Sequence, residues 1–207
     1  MSMFEYSKEE SLLFRKLNSP AKIQNYLNSI KFNFEDEGVC MSPRMVIKTK
    51  KAHCMEGAVF AAAVLEFHGF KPFILDLRST EKPFDYDHVI AVFKADGFFG
   101  AITKTNHAVL RYREPVYKNL RELVMSFFHE YFLNNSGYKT LREYSILLDL
   151  NKFNKINWRT TEEDISQITE YLDDIKHFSI LTKKQIKNLR NADDVEIKAG
   201  KIVEYNK

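Results

Sequence analysis

The chain has 207 residues, enough for one sizeable core with a small appendage. Its apolar content of 44% and its 17 Phe and 10 Tyr exclude a disordered or low-complexity protein. A net charge of +3, spread along the chain, gives no ground for a nucleic-acid partner, and no apolar run approaches the ~20 residues of a membrane span.

The opening stretch Met1 to Glu10 lacks the charged-then-apolar layout of a signal peptide. The two cysteines, Cys40 and Cys54, form no C-x-x-C pair and belong to no set with zinc spacing. The expectation is a cytoplasmic protein with both thiols free, no metal and no cofactor. A peripheral helix is predicted from Lys8 to Leu17. Ser19-Pro20 starts a second, because serine caps and proline fits the first helical position. Residues 32–43 read as a loop, with Glu35, Asp36 and Glu37 solvated. A short helix from Pro43 to Lys48 follows.

The basic lead-in Lys51-Ala-His53 turns at Cys54 into an Ala-rich helical pattern that ends at His68-Gly69. This places the thiol in the first turn of a largely buried helix. Free N–H groups and partial positive charge there favour the thiolate, which is the nucleophile. The plain alternative is a small buried apolar residue. Gly57, Ala58, Ala61, Ala62 and Ala63 let the helix lie close to a sheet under either reading.

Pro72 to Leu77 reads as a strand, and Ser79 to Asp85 as a polar loop. His88 opens a second strand that runs to Lys94. Ala95-Asp-Gly97 is a turn into a third strand, Phe98 to Thr103. An imidazole at the mouth of a strand can take the proton of a thiol at a helix start. Its alternative is a surface histidine at a strand edge. Asp87 points to the opposite face from His88.

Ala108 to Arg113 is extended. An amphipathic helix is predicted from Pro115 to about Phe132, and Asn134-Asn-Ser-Gly137 breaks the chain. Leu141 to Leu148 reads as a strand, with a short helix as the alternative. Thr161-Glu-Glu-Asp164 opens a helix carrying Ile165, Ile168 and Leu172, and Lys183 to Arg190 forms another. The tail Val195 to Tyr205 reads as a terminal hairpin.

His129-Glu130 fails as a metalloprotease motif, because Leu133 stands where the second histidine is required. His53, Glu56, Asp87 and His88 have the chemistry of a metal set, but the cysteine–histidine order already accounts for these segments. Lys104, Arg111 and Arg113 are candidates to line a cleft and bind a substrate carboxylate or phosphate. Each is weighed against a solvated charge or a structural ion pair with Glu114.

The order of a helix-start cysteine, a strand-start histidine and a following strand resembles the transglutaminase-like superfamily, whose core is a papain-like cysteine hydrolase fold. Cys54-Met-Glu-Gly-Ala-Val-Phe-Ala-Ala62, Asp87-His-Val89, Gly100-Ala-Ile-Thr-Lys-Thr-Asn106 and Leu110-Arg-Tyr-Arg-Glu-Pro-Val-Tyr117 resemble, more narrowly, an uncharacterised bacterial group of that superfamily, over roughly residues 19–133. The resemblance implies an α+β fold, with a central buried helix on an antiparallel sheet. Residues 1–133 form the core with its N-terminal helices, and residues 134–207 form a C-terminal α/β extension packed on it. It further implies Cys54 as nucleophile and His88 as base. The family's acidic third residue falls at or near Thr103, where this sequence departs from the pattern. A threonine hydroxyl fixes the tautomer but adds no charge. Asn106 is the second choice, through its amide oxygen.

The implied activity is acyl transfer on a peptide or amide substrate through a thioester, giving hydrolysis with water and transamidation with an amine. The backbone N–H of Cys54 is the first oxyanion donor. The competing expectation is a catalytically silent binding or scaffold protein of the same fold. Neither nucleic acid nor membrane is an expected partner, and the oligomeric state is left open.

Overall fold

The computed structural model describes residues 6–34 and 39–205. The acidic trio Glu35, Asp36 and Glu37 lies outside the described residues.

Helix α1 (Lys8–Lys16) opens with Ser7 and Glu10 in a reciprocal cap, and α2 (Pro20–Ser29) with Ser19 accepting from the Lys22 amide. A two-residue parallel pair joins β1 (Lys31–Phe32) to β2 (Lys51–Ala52), with α3 (Pro43–Thr49) between them. Helix α4 (Cys54–Phe67) is buried on all sides from Met55 to Leu65, the state that an apolar helix without a polar face requires. It ends at His68, and Gly69 follows with φ 87°, a conformation that costs glycine nothing.

The main sheet comes next. It contains β3 (Phe73–Arg78), β4 (His88–Ala95), β5 (Phe98–Ile102) and β6 (Arg113–Tyr117), in that spatial order. Beyond β3 it continues into β7 (Glu143–Ser145) and β9 (His177–Ser179), while β8 (Leu148–Asp149) pairs with the other end of β3. Every pairing in this sheet is antiparallel. Residues 134–207 therefore do more than pack on a finished core: three of the sheet's strands come from them. They also bring Trp158, Ile165, Ile168 and Leu172 into the hydrophobic cluster around α4.

Alternation along the strands divides the core into two layers. Ile74, Val89, Ala91 and Phe93 pack with α4. Leu75, Leu77, Ile90 and Val92 pack with Leu123, Val124 and Phe127 of α5 (Leu120–Phe128). Close approach of α4 to the sheet needs Gly57, because a Cβ there would lie 2.4 Å from Lys104 Cβ.

Three predicted elements are corrected. The helix expected from Pro115 begins at Leu120: Pro115–Tyr117 belong to β6, and the Asn119 side chain caps the Glu122 amide. Thr161–Asp164 is not helical. Asp164 Oδ1 instead accepts from the Cys40 and Ser166 amides, and the helix α6 (Gln167–Asp174) starts after that knot. The expected terminal hairpin is mostly the helix α8 (Asp194–Gly200), opened by reciprocal capping between Asp193 and Glu196. It follows α7 (Lys183–Lys187). Only Val203 makes a strand-like bridge, to His107. Among the described residues no helix is long and apolar enough to cross a membrane.

Candidate active site

Cys54 is the first residue of α4. His53 caps that helix through Nδ1, which accepts from the Met55 amide at 3.2 Å. Glu56 closes the cap from the other side, with Oε2 accepting from the His53 amide at 2.8 Å. The same carboxylate, fully buried, accepts from the Met41 amide and from Asn33 Nδ2. One side chain thereby pins three segments around the cysteine, and His53 Nδ1 and Glu56 Oε2 close the cap of α4.

Cys54 as a residue is only partly exposed, and its thiol is turned inward. Burial pushes its pKa up, and the Asp76 and Glu56 carboxyls add to the rise. Two backbone N–H groups, those of Val89 and Met55, oppose it at the sulfur. Cys54 thus sits against the start of β4 at Val89, the residue that follows His88 in the chain.

His88 is 6% exposed, and its Nε2 is buried with no hydrogen-bond partner among the described residues. It shares the alternation of Ile90 and Val92, which face α5, whereas Val89 faces α4. Burial first, then the nearby Arg113 guanidinium and His107, push its pKa down to about 4. The imidazole is therefore neutral at pH 7. The thiol meets β4 at the Val89 amide, whereas the His88 imidazole belongs to the opposite face of that strand, so the two side chains are not in contact in this resting arrangement.

Thr103 is fully buried and, by alternation past Ala101, lies on the His88 face. Its hydroxyl donates to Leu110 O at 2.9 Å, while its amide and carbonyl are taken by Gln24 of α2. Asn106 is committed elsewhere: its amide group clamps the Tyr205 backbone through both Oδ1 and Nδ2. Asp87 Oδ1 accepts from Ser79 N and Oγ, which keeps that carboxylate in the loop and away from the ring.

The three cations read as cleft-lining residues all have internal partners. Lys104, 1% exposed, donates to Leu27 O and Ile30 O at 2.8 Å each, and burial brings its pKa down to about 8. Arg111 pairs with Glu204 at 2.8 Å. Arg113 pairs with Glu130 at 2.6 Å, bonds Ser126 and lies over the Phe127 ring. Glu204 and Glu130, both distant in sequence, stand where Glu114 was the expected partner.

A cleft of about 530 Å³ opens over the loop between β3 and β4, lined by Arg78, Glu81, Asp85, Tyr86, Asp87 and Asp173 among others, and neither Cys54 nor His88 lines it. Its wall is acidic, and burial together with the neighbouring Asp87 charge raises the pKa of both Asp85 and Asp173.

Sequence reasoning missed Asp76 and His177. Both are buried, and Asp76 Oδ2 lies 3.0 Å from His177 Nε2. Asp76 left a signal, a lone carboxyl inside the apolar strand Phe73-Ile-Leu-Asp-Leu77. His177 left none, since it reaches the site only through the pairing of β9.

No protein-family model matches the chain, and no curated protein matches it significantly in sequence.

Proposed function

We propose that this protein is a cysteine-dependent acyl-transfer enzyme with a transglutaminase-like, papain-related core, acting as an amide or peptide hydrolase or a transamidase. The observation that carries this reading is the buried Nε2 of His88, without a hydrogen-bond partner among the described residues, one residue before the backbone amide that meets the Cys54 thiol. A buried nitrogen without a partner costs about 1–3 kcal/mol, a cost that a purely structural histidine would not need to bear.

The resting pair is a neutral thiol and a neutral imidazole. His88 is then in the form that accepts a proton. As Sγ attacks a carbonyl carbon, the thiol proton passes to the imidazole, a transfer that requires the start of β4 to shift so that His88 leaves its resting face and reaches the thiol. The ring returns that proton to the leaving amine as the C–N bond breaks, leaving a thioester. Water or an amine then releases the acyl group. The N–H of Cys54 at the start of α4 supports the oxyanion. Thr103 keeps a lone pair free to receive a ring N–H, whereas Asn106 is fully engaged.

A second reading, a silent binding module of the same fold, is favoured by one fact: the thiol is pushed up and the imidazole down, the reverse of a resting ion pair. One experiment separates the two. In the acyl-transfer reading, p-nitrophenyl acetate gives a burst of nitrophenolate equal to the protein concentration. The burst is absent in Cys54→Ser and at least about tenfold slower in His88→Ala, the low end of a general-base contribution. Equal reactivity of wild type and His88→Ala would leave the binding module as the better account.

A further inference from the structure

Asp76 stands inside β3 with its carboxyl 2% exposed, on the α4 side of the sheet that it shares with Ile74. Its amide donates to Ser145 Oγ, and Ser145 is paired across the next strand with His177. His177 Nδ1 lies 2.7 Å from Ile175 O and Nε2 lies 3.0 Å from Asp76 Oδ2. A carbonyl oxygen only accepts, so Nδ1 carries a proton. One more proton must lie between Nε2 and Oδ2, since two bare lone pairs would repel. The pair is either imidazolium with carboxylate or imidazole with carboxylic acid, and both forms carry zero net charge.

On its other side Asp76 is paired with Val89, whose amide faces the Cys54 sulfur. Arg78 and Asp173 also bear on the Asp76–His177 pair from the cleft side, and the other ionisable groups around the thiol are fixed in other ways. Glu56 is held by the α4 cap, and Arg78 stands 3.9 Å from Asp76 Oδ2 at the rim. Asp87 is bound by Ser79, Cys40 is buried ahead of α3, and the Tyr131 hydroxyl donates to Tyr86 O. His88 belongs to the far face.

We propose that His177 is a positioning residue for the Cys54 site. It acts through Asp76, keeping that carboxyl in a neutral pair so that no net negative charge confronts the thiolate as it forms. The consequence for turnover rests on the acyl-transfer reading above, but the electrostatic coupling does not.

The test is the rate of Cys54 alkylation by iodoacetamide against pH, with the site of labelling read by mass spectrometry. It uses the full chain as wild type, His177→Gln, Asp76→Asn and the double variant. Glutamine keeps a donor for Asp76 and removes the group that shares the extra proton with it. His177→Gln slows alkylation about tenfold at mildly alkaline pH, which corresponds to a thiol pKa raised by about one unit. Asp76→Asn speeds it at least about threefold, because the carboxyl is the nearer member of the pair. In the double variant the effect of His177→Gln vanishes, since nothing remains for it to act through.

An unchanged Cys54 titration in His177→Gln, or equal slowing with and without Asp76, overturns the proposal. A histidine that only pins β9 to β3 would change the melting temperature and leave the titration alone. Should His177→Gln fail to fold, Asp76→Asn decides the matter, and no acceleration there overturns the coupling. The nitrophenyl acetate burst, run on the same proteins, keeps the two ideas apart. A shifted titration without any wild-type burst refutes acyl transfer and leaves the coupling standing.

Discussion

Replacing His88 by Leu exchanges a buried imidazole for an apolar side chain of similar bulk. The unpartnered Nε2 disappears, which stabilises the protein by about 1–3 kcal/mol at neutral pH. The acid side gives a sharper test. His88 has a folded pKa of about 4 against the ordinary 6.5. As pH falls, the unfolded chain binds the proton first, so the native state loses stability from 6.5 down through about 4. For these two values the loss between about pH 7.5 and about pH 4.5 is roughly 2.5 kcal/mol. Urea denaturation of both proteins at the two pH values measures it. The wild type loses about 2.5 kcal/mol more than His88→Leu over this interval, and the variant's nitrophenyl acetate burst is at least about tenfold slower. Parallel loss in the two proteins would refute the reasoning, because it would mean that His88 is solvated or paired.

Two further perturbations test the packing around the site. Gly57→Ala sets about 1 kcal/mol of helix propensity against a Cβ at 2.4 Å from Lys104 Cβ. The clash prevails, and chemical denaturation shows a net destabilisation of about 1–3 kcal/mol; a more stable variant would mean that α4 does not lie this close to the sheet. Lys104 titrates at about 8 in the fold and 10.5 in the unfolded chain, so the unfolded chain holds more protons between those values. Stability therefore rises with pH across that window, by up to about 3 kcal/mol relative to Lys104→Met; a flat difference would show that the ammonium is hydrated.

Much of the local structure around the site is written in short-range sequence. Ser19-Pro20 caps and starts α2, His68-Gly69 ends α4, and Ala95-Asp-Gly97 turns β4 into β5. Cys54 at the head of an Ala-rich run is the first residue of its helix, and His88 is the first of its strand. These features depend on residues within about one turn of each other, where caps and periodicity act. The spacing His53-x-x-Glu56 carried the cap of α4 in the same way.

Tertiary structure decided the rest. The face of β4 that His88 occupies follows from register, and a shift of one residue reverses it. In the sequence Lys104 and Arg113 are candidates to line a cleft, weighed against a solvated charge or a pair with Glu114, because their partners Leu27 O, Ile30 O and Glu130 lie outside the local sequence. The tail is the exception, since its helix α8 is opened by the local pair Asp193 and Glu196, a short-range signal that the reading of alternation as a hairpin passes over. Asp76 and His177 meet across 101 residues only because β7 stands between β3 and β9. A carboxyl within an apolar strand announces that a partner exists. Only the long-range strand pairing, which no local pattern encodes, decides that the partner is His177 and that the pair lies beside the thiol.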